Sequence, residues 1–175
     1  MQTYIINGHP RSGKDTFVDF CRGAIGEEYV CEVSTIDCVK QIAKMTGWNG
    51  TKDNRSRKFL SDLKDLFTEY NGFPMEETIK KIDEFERELR YYGVDSKGVV
   101  FVHCREPKEI ADLVSILNAK TILIVRDSVK NTDFSNHADE EVNNYDYDII
   151  ISNNGTLNDF RDSAYQFCKE QDLWL

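Results

Sequence analysis

Gly8, Gly13 and Lys14 stand in the order GxxxxGK within the stretch NGHPRSGKDT, residues 7–16. Two glycines at this spacing let a backbone curl its N–H groups around an anion, and a lysine directly after the second can reach terminal phosphates. The chemistry on offer is phosphate binding, with Arg11 and Ser12 inside the loop as further donors. The next residue is Asp15, where the pattern usually has Ser or Thr. A carboxylate is also a hard oxygen ligand, so Asp15 can take over the Mg²⁺ contact, directly or through water. It can equally be a first-turn acid favoured by the helix macrodipole, worth roughly 0.3–1 kcal/mol. Thr16 still offers a hydroxyl.

A phosphate loop works only between a strand and a helix, and the flanking sequence predicts both. TYIIN, residues 3–7, is a β-branched and aromatic run that ends at Gly8. Beyond the loop, Phe17, Phe20, Cys21 and Ala24 give the apolar stripe of a helix. The alternation continues with a strand at 29–33 and a helical face through Val39, Ile42, Ala43 and Thr46. Two longer helices follow. Phe59, Leu60, Leu63, Leu66, Phe67 and Tyr70 mark one, and Met75, Ile79, Ile82, Phe85, Leu89 and Tyr92 the other, divided by NGFP. VVFVH (99–103), TILIV (121–125) and YDIII (147–151) are short and apolar on both sides, as central parallel strands are. Helical stripes at Ile110, Ala111, Val114 and Leu117, and at Leu157, Phe160, Ala164, Phe167 and Cys168, complete an α/β domain. Its five-stranded parallel sheet is covered by helices on both faces, giving three layers.

GHPRSGKDT resembles the RSGKDT-type loop of bacteriophage deoxynucleoside monophosphate kinases. A similar SGKD occurs in animal-type phosphomevalonate kinases, and all these folds are related to adenylate kinase. At the far end, YDYDIIISNNGTLNDF (145–160) looks like the closing strand, loop and helix of dephospho-coenzyme A kinase and the phage kinases. The likeness covers both ends of the chain well and the middle poorly. It implies the P-loop NTPase fold, with Gly8, Arg11, Ser12, Gly13, Lys14, Asp15 and Thr16 on the phosphates and metal of Mg²⁺–ATP. Asn153, Asn154, Gly155 and Thr156 would lie beside the base. Without the resemblance, SNNGT reads as a turn with Thr156 capping the last helix, and both readings are compatible.

Phosphoryl transfer needs positive groups and an acceptor site. Arg105 follows the third strand, on the edge where open α/β sheets bind ligands. Arg126 follows the fourth strand and begins a segment, 126–146, long enough to be a lid. Kinases of this group carry lid arginines, whereas here only Arg126 and Lys130 are cationic. The phage kinases commonly show Asp-x-Arg where this chain has His103, Cys104 and Arg105, a gap that Asp15 or Asp37 could fill. His103 can serve as a base or as a hydrogen-bonded structural residue. A helical insert at 35–95 would receive the acceptor. There Asp37 is expected to contact the acceptor or its Mg²⁺, and Arg55 or Arg57 its phosphate. The plain alternatives are a first-turn acid and helix-surface cations.

The remaining composition narrows the classes. The 175 residues carry a formal net charge of −9, against a nucleic-acid polymer as partner. No apolar run approaches the roughly 18 residues of a membrane span, and no basic-then-apolar leader is seen, so a cytoplasmic protein away from membranes is expected. Five cysteines without a CxxC pair read as buried free thiols. No NKxD selects guanine. The expectation is one domain, 1–175, an ATP-dependent phosphotransferase acting on a small phosphorylated acceptor, foremost a (deoxy)nucleoside monophosphate. The alternatives are a kinase of another metabolite such as dephospho-coenzyme A, and an ATP-binding sensor without transfer. Apolar residues such as Trp174 can pack within the chain or meet a second subunit, so a homodimer is compatible with the sequence.

Overall fold

The computed structural model describes residues 1–129, 142 and 144–173. Lys130, Trp174 and most of the expected lid lie outside the described residues. Five strands form one parallel sheet: β1 (Gln2–Asn7), β2 (Val30–Ser34), β3 (Val99–His103), β4 (Lys120–Val125) and β5 (Ile149–Ser152). Their spatial order is β2-β3-β1-β4-β5, a P-loop NTPase-like arrangement with β1 at the centre. The helices are α1 (Lys14–Ile25), α2 (Asp37–Met45), α3 (Asn54–Asn71), α4 (Phe73–Tyr91), α5 (Pro107–Leu117) and α6 (Leu157–Glu170).

Alternation along the strands divides the core between two faces. Tyr4, Ile6, Phe101, Ile122 and Ile124 point to one side, where Phe17, Val18 and Cys21 of α1 and Phe160, Ala164 and Phe167 of α6 close over them. Ile5, Val33, Val100 and Val102 point to the other, against Ile82 of α4 and Ile110 and Leu113 of α5. A smaller cluster, Cys38, Val39, Ala43 and Leu60, joins α2 to α3. Four of the five free thiols are buried, as expected. No helix among the described residues is long and apolar enough to cross a membrane.

Four details depart from the sequence reading. Strand β5 is an edge strand, with Ile150 65% exposed, because nothing pairs beyond it among the described residues. The buried line of α3 runs through Ser56, Leu60 and Lys64, leaving Phe59, Leu66 and Tyr70 exposed. An apolar count cannot see that the Lys64 ammonium meets carboxylates inside. On α5 it is Leu113, not Ala111, that is buried with Ile110, and Tyr92 lies exposed beyond the end of α4.

Because every strand runs the same way, the loops that follow them emerge along one edge of the sheet. That edge gathers the turn after β1, Asp37 after β2, Arg105 after β3, Arg126 after β4 and Asn153 after β5.

Candidate functional site

The loop from Gly8 to Gly13 is a tight cradle. Gly13 has φ 103°, and a Cβ there would lie 2.5 Å from Nδ2 of Asn153 and 3.1 Å from the Phe160 ring. At Gly8, φ 150°, a Cβ would lie 2.5 Å from the carbonyl oxygen of Ile124. Both positions need glycine for conformation and for space. Arg11, φ 67°, is a bulky residue in the left-handed region, a backbone strain that a functional loop tolerates. Gly13 supplies no side-chain cap to α1, so no capping side chain competes with an anion at the helix start, where the dipole favours negative charge.

Two side chains belong to the cradle itself. The Lys14 ammonium donates to the carbonyl oxygens of Gly8 and, at 3.0 Å, His9, which lays its charge across the start of the loop. Ser12 is fully buried, and its Oγ has no hydrogen-bond partner among the described residues. A buried hydroxyl in that state is costly unless something binds beside it.

The loop is tied to its neighbours by two asparagines. Buried Asn7 accepts from Gly8 N at 2.8 Å through Oδ1. Its Nδ2 donates to the carbonyl of Arg105 at 3.1 Å and to the Tyr147 hydroxyl at 2.7 Å. Tyr147 in turn donates to the carbonyl of Val142 at 2.9 Å, and burial pushes its phenol up to about 12. Asn153 donates from Nδ2 to the carbonyl of Ser12 at 2.7 Å, and its own N–H donates to Val125 O at 2.7 Å. Nothing in the residue pattern marks Asn7 except a polar residue ending a buried strand.

Asp15 is the exposed departure from the usual loop, and it faces His103. Asp15 Oδ1 lies 3.9 Å from His103 Nδ1, while His103 Nε2 lies 2.9 Å from Oε1 of Glu32. Glu32 also receives Arg22 at 2.7 Å. The hydrogen bond with His103 is the main reason the Glu32 carboxyl is held below its usual value, with Arg22 adding to it against the effect of burial. This donor set, two carboxylates and an imidazole beside the glycine loop, is one that fits a divalent cation. Glu32 was not singled out in the sequence, since a mid-strand glutamate carries no motif.

The other expected residues are placed as follows. Asp37 accepts from Ser34 N at 2.9 Å and from Lys40 at 3.3 Å, the geometry of a helix-start acid. Asn154 holds Asp127, next to Arg126, with bonds of 2.7 and 2.8 Å. Thr156 forms a reciprocal capping box with Asp159 at the start of α6, as the sequence allowed. A Cβ on Gly155 would meet the same carboxylate at 2.7 Å. Arg55 and Arg57 lie in the first turn of α3, where Arg57 donates to Lys52 O at 3.1 Å. Thr16 is half-buried in the first turn of α1, and Arg126 is exposed.

One further cluster fixes the Arg105 loop from below. Lys64, 6% exposed, pairs with Glu109 at 2.5 Å and Glu106 at 3.1 Å, and Cys104 donates to Glu109 at 3.4 Å. Burial alone would lower the Lys64 value. The two carboxylates outweigh it and raise it.

No family model matches the chain, and no curated protein matches it in sequence. Among solved structures it is similar to a candidate kinase from Chloroflexus aurantiacus at 12% identity, covering 94% of this chain and 97% of that one, with a TM-score of 0.49. It is also similar to dephospho-CoA kinase from Campylobacter jejuni at 15% identity, covering 97% and 96%, with a TM-score of 0.47. The likeness runs over nearly the whole length of each chain and concerns the fold, so no residue's role follows from it.

Proposed function

We propose that this protein binds ATP with a divalent cation and transfers the γ-phosphoryl group to a small phosphorylated acceptor, foremost a nucleoside or deoxynucleoside monophosphate. The observation that carries this reading is the cradle: two glycines in conformations and spaces that exclude a side chain, an uncapped helix start, Lys14 over the loop, and the orphaned Ser12 hydroxyl. An anion with several oxygens answers all four at once.

In this reading the loop N–H groups and Lys14 hold the β- and γ-phosphates, and Asp15 stands where a cation would neutralise charge on them. Mg²⁺ is the simplest such ion. Arg105 and Arg126, at the ends of β3 and β4, are the positive groups placed to meet charge that develops during transfer. The acceptor would enter from the α2–α3 side, past Asp37, Arg55 and Arg57, with 35–95 acting as the acceptor-binding insert and 126–146 as the lid.

The test is ADP formation from ATP and divalent cation with a panel of ribo- and deoxynucleoside monophosphates plus dephospho-coenzyme A, beside calorimetric ATP titration. Acceptor-dependent turnover with a monophosphate is expected. Turnover only with another acceptor overturns the substrate assignment. ATP binding without any acceptor-dependent turnover makes the protein a nucleotide sensor.

A further inference from the structure

We infer that Asp15 and His103 are direct ligands of a divalent cation of the class that accepts imidazole as well as carboxylate, Mn²⁺ or Zn²⁺ before Mg²⁺. This refines the cation of the proposed function, but its binding part stands on side chains outside the loop.

Glu32 can only accept, so the 2.9 Å contact puts the ring proton of a neutral His103 on Nε2. That leaves the Nδ1 lone pair facing the Asp15 carboxylate at 3.9 Å, too long for a hydrogen bond and set between two acceptors. Metal–nitrogen and metal–oxygen bonds of about 2.0–2.2 Å bridge such a gap at a wide angle. Asp15, with 87% of its side chain exposed, is able to rotate to improve it.

The surroundings are those of a ligating histidine. Such a ring commonly donates its other N–H to a carboxylate, which fixes the tautomer and raises ligand basicity. Glu32 does this here, and Arg22 fixes Glu32 from the far side at 2.7 Å. The charge balance also calls for a cation. Asp19, Glu27 and Glu32 all share the Arg22 guanidinium, while Asp15 faces the His103 imidazole instead. Imidazole is a poor partner for Mg²⁺ and a good one for Zn²⁺ and related ions, and Mn²⁺ accepts both donor types. Asp15 follows the Gly8–Gly13 loop by two residues, so with a phosphate in that loop an ion here would have phosphate oxygens at hand for its remaining positions.

The test uses the whole chain without nucleotide. Mn²⁺ binding is followed by electron paramagnetic resonance, with pulsed measurements reading ¹⁴N coupling from an imidazole ligand. One Mn²⁺ per chain with nitrogen coupling is expected, bound at least tenfold tighter than Mg²⁺ in competition. His103→Gln should remove the coupling, and Asp15→Asn should weaken binding at least tenfold. Glu32→Gln should weaken it by roughly 10–100-fold while keeping the coupling. Circular dichroism of each variant separates loss of ligand from loss of fold. Mn²⁺ binding without nitrogen coupling, or binding unchanged in His103→Gln, overturns the inference. A parallel ATP titration keeps the two readings apart: ATP bound without nitrogen-coupled Mn²⁺ leaves the phosphate loop standing, and nitrogen-coupled Mn²⁺ without ATP leaves only the metal site.

Discussion

Asn153 and Ser12 are 141 positions apart in the chain, yet the Asn153 amide donates to the Ser12 carbonyl at 2.7 Å. The last strand therefore holds the loop that follows the first, and the same Asn153 nitrogen is the atom a Cβ on Gly13 would strike. Asn153 both shapes the cradle and enforces glycine at its end.

Gly13→Ala is expected to combine the strain of φ 103° with that clash, a loss of more than about 1 kcal/mol. Asn153→Ala should cost about 1 kcal/mol from the lost hydrogen bond and also loosen the loop. Calorimetric titration should find ATP affinity reduced in both, more in Gly13→Ala. The double variant Gly13→Ala, Asn153→Ala should recover part of the stability of Gly13→Ala, because the clashing atom is gone. Denaturant midpoints that simply add would show that the two residues do not share this constraint.

A buried ion pair underlies the Arg105 loop. Lys64→Met keeps the length of the side chain and leaves Glu109 buried with its charge unanswered. Breaking one partner of such a pair costs about 3–5 kcal/mol. Replacing Glu109 as well, as Lys64→Met with Glu109→Gln, should recover most of that loss. Urea unfolding reads both, with an unchanged m-value if only stability moves. A loss below about 1 kcal/mol in the single variant would mean that Glu109 takes up a proton or reaches water.

These two cases mark what the sequence discloses. The loop, the strands and the parallel sheet were legible, because glycine spacing and apolar runs are local signals tied to backbone geometry. Residues that act by reaching across the fold were not. Asn7, Lys64 and Glu32 look like an ordinary strand end, a helix-surface cation and a strand-surface acid until the sheet brings Arg105, Glu109 and His103 to them. Thr156 was legible as a cap because a capping box spans only four residues. The exposed Phe59 and Leu66 were misplaced because a helical stripe counts apolar residues and gives no weight to a lysine that is buried with its partners.

Tyr147 gives a pH prediction. Its folded value of about 12 lies above the ordinary 10.0. A raised value means the neutral phenol is favoured in the folded state. That contribution to stability is complete below pH 10 and is lost as pH rises from 10 to about 12. Ultraviolet titration of phenolate should show late-ionising tyrosine in the folded protein, with one late group fewer in Tyr147→Phe. The variant also removes the bonds to Asn7 and Val142, so its stability should fall at neutral pH by about 1–2 kcal/mol. A titration in which all tyrosines ionise together near 10 before any unfolding would contradict the burial of this hydroxyl.

Lys14 and Arg126 allow holding the nucleotide to be separated from reacting it. Lys14 touches the loop carbonyls of Gly8 and His9 and lies within reach of anything the cradle binds. Lys14→Ala should therefore abolish measurable ATP binding, and unchanged affinity would contradict the site itself. Arg126 is exposed at the end of β4, and the turn after it is fixed by Val129 N donating to its carbonyl at 3.2 Å and by Asn154 holding Asp127. The side chain is thus presented from a fixed base. If it meets charge that develops only during transfer, Arg126→Ala should lower kcat by roughly 10²-fold or more and leave ATP affinity within a few-fold. Single-turnover kinetics beside calorimetry distinguish the outcomes. A parallel fall in ATP affinity and turnover would make Arg126 a ground-state binding residue, and an unchanged kcat would remove it from the reaction.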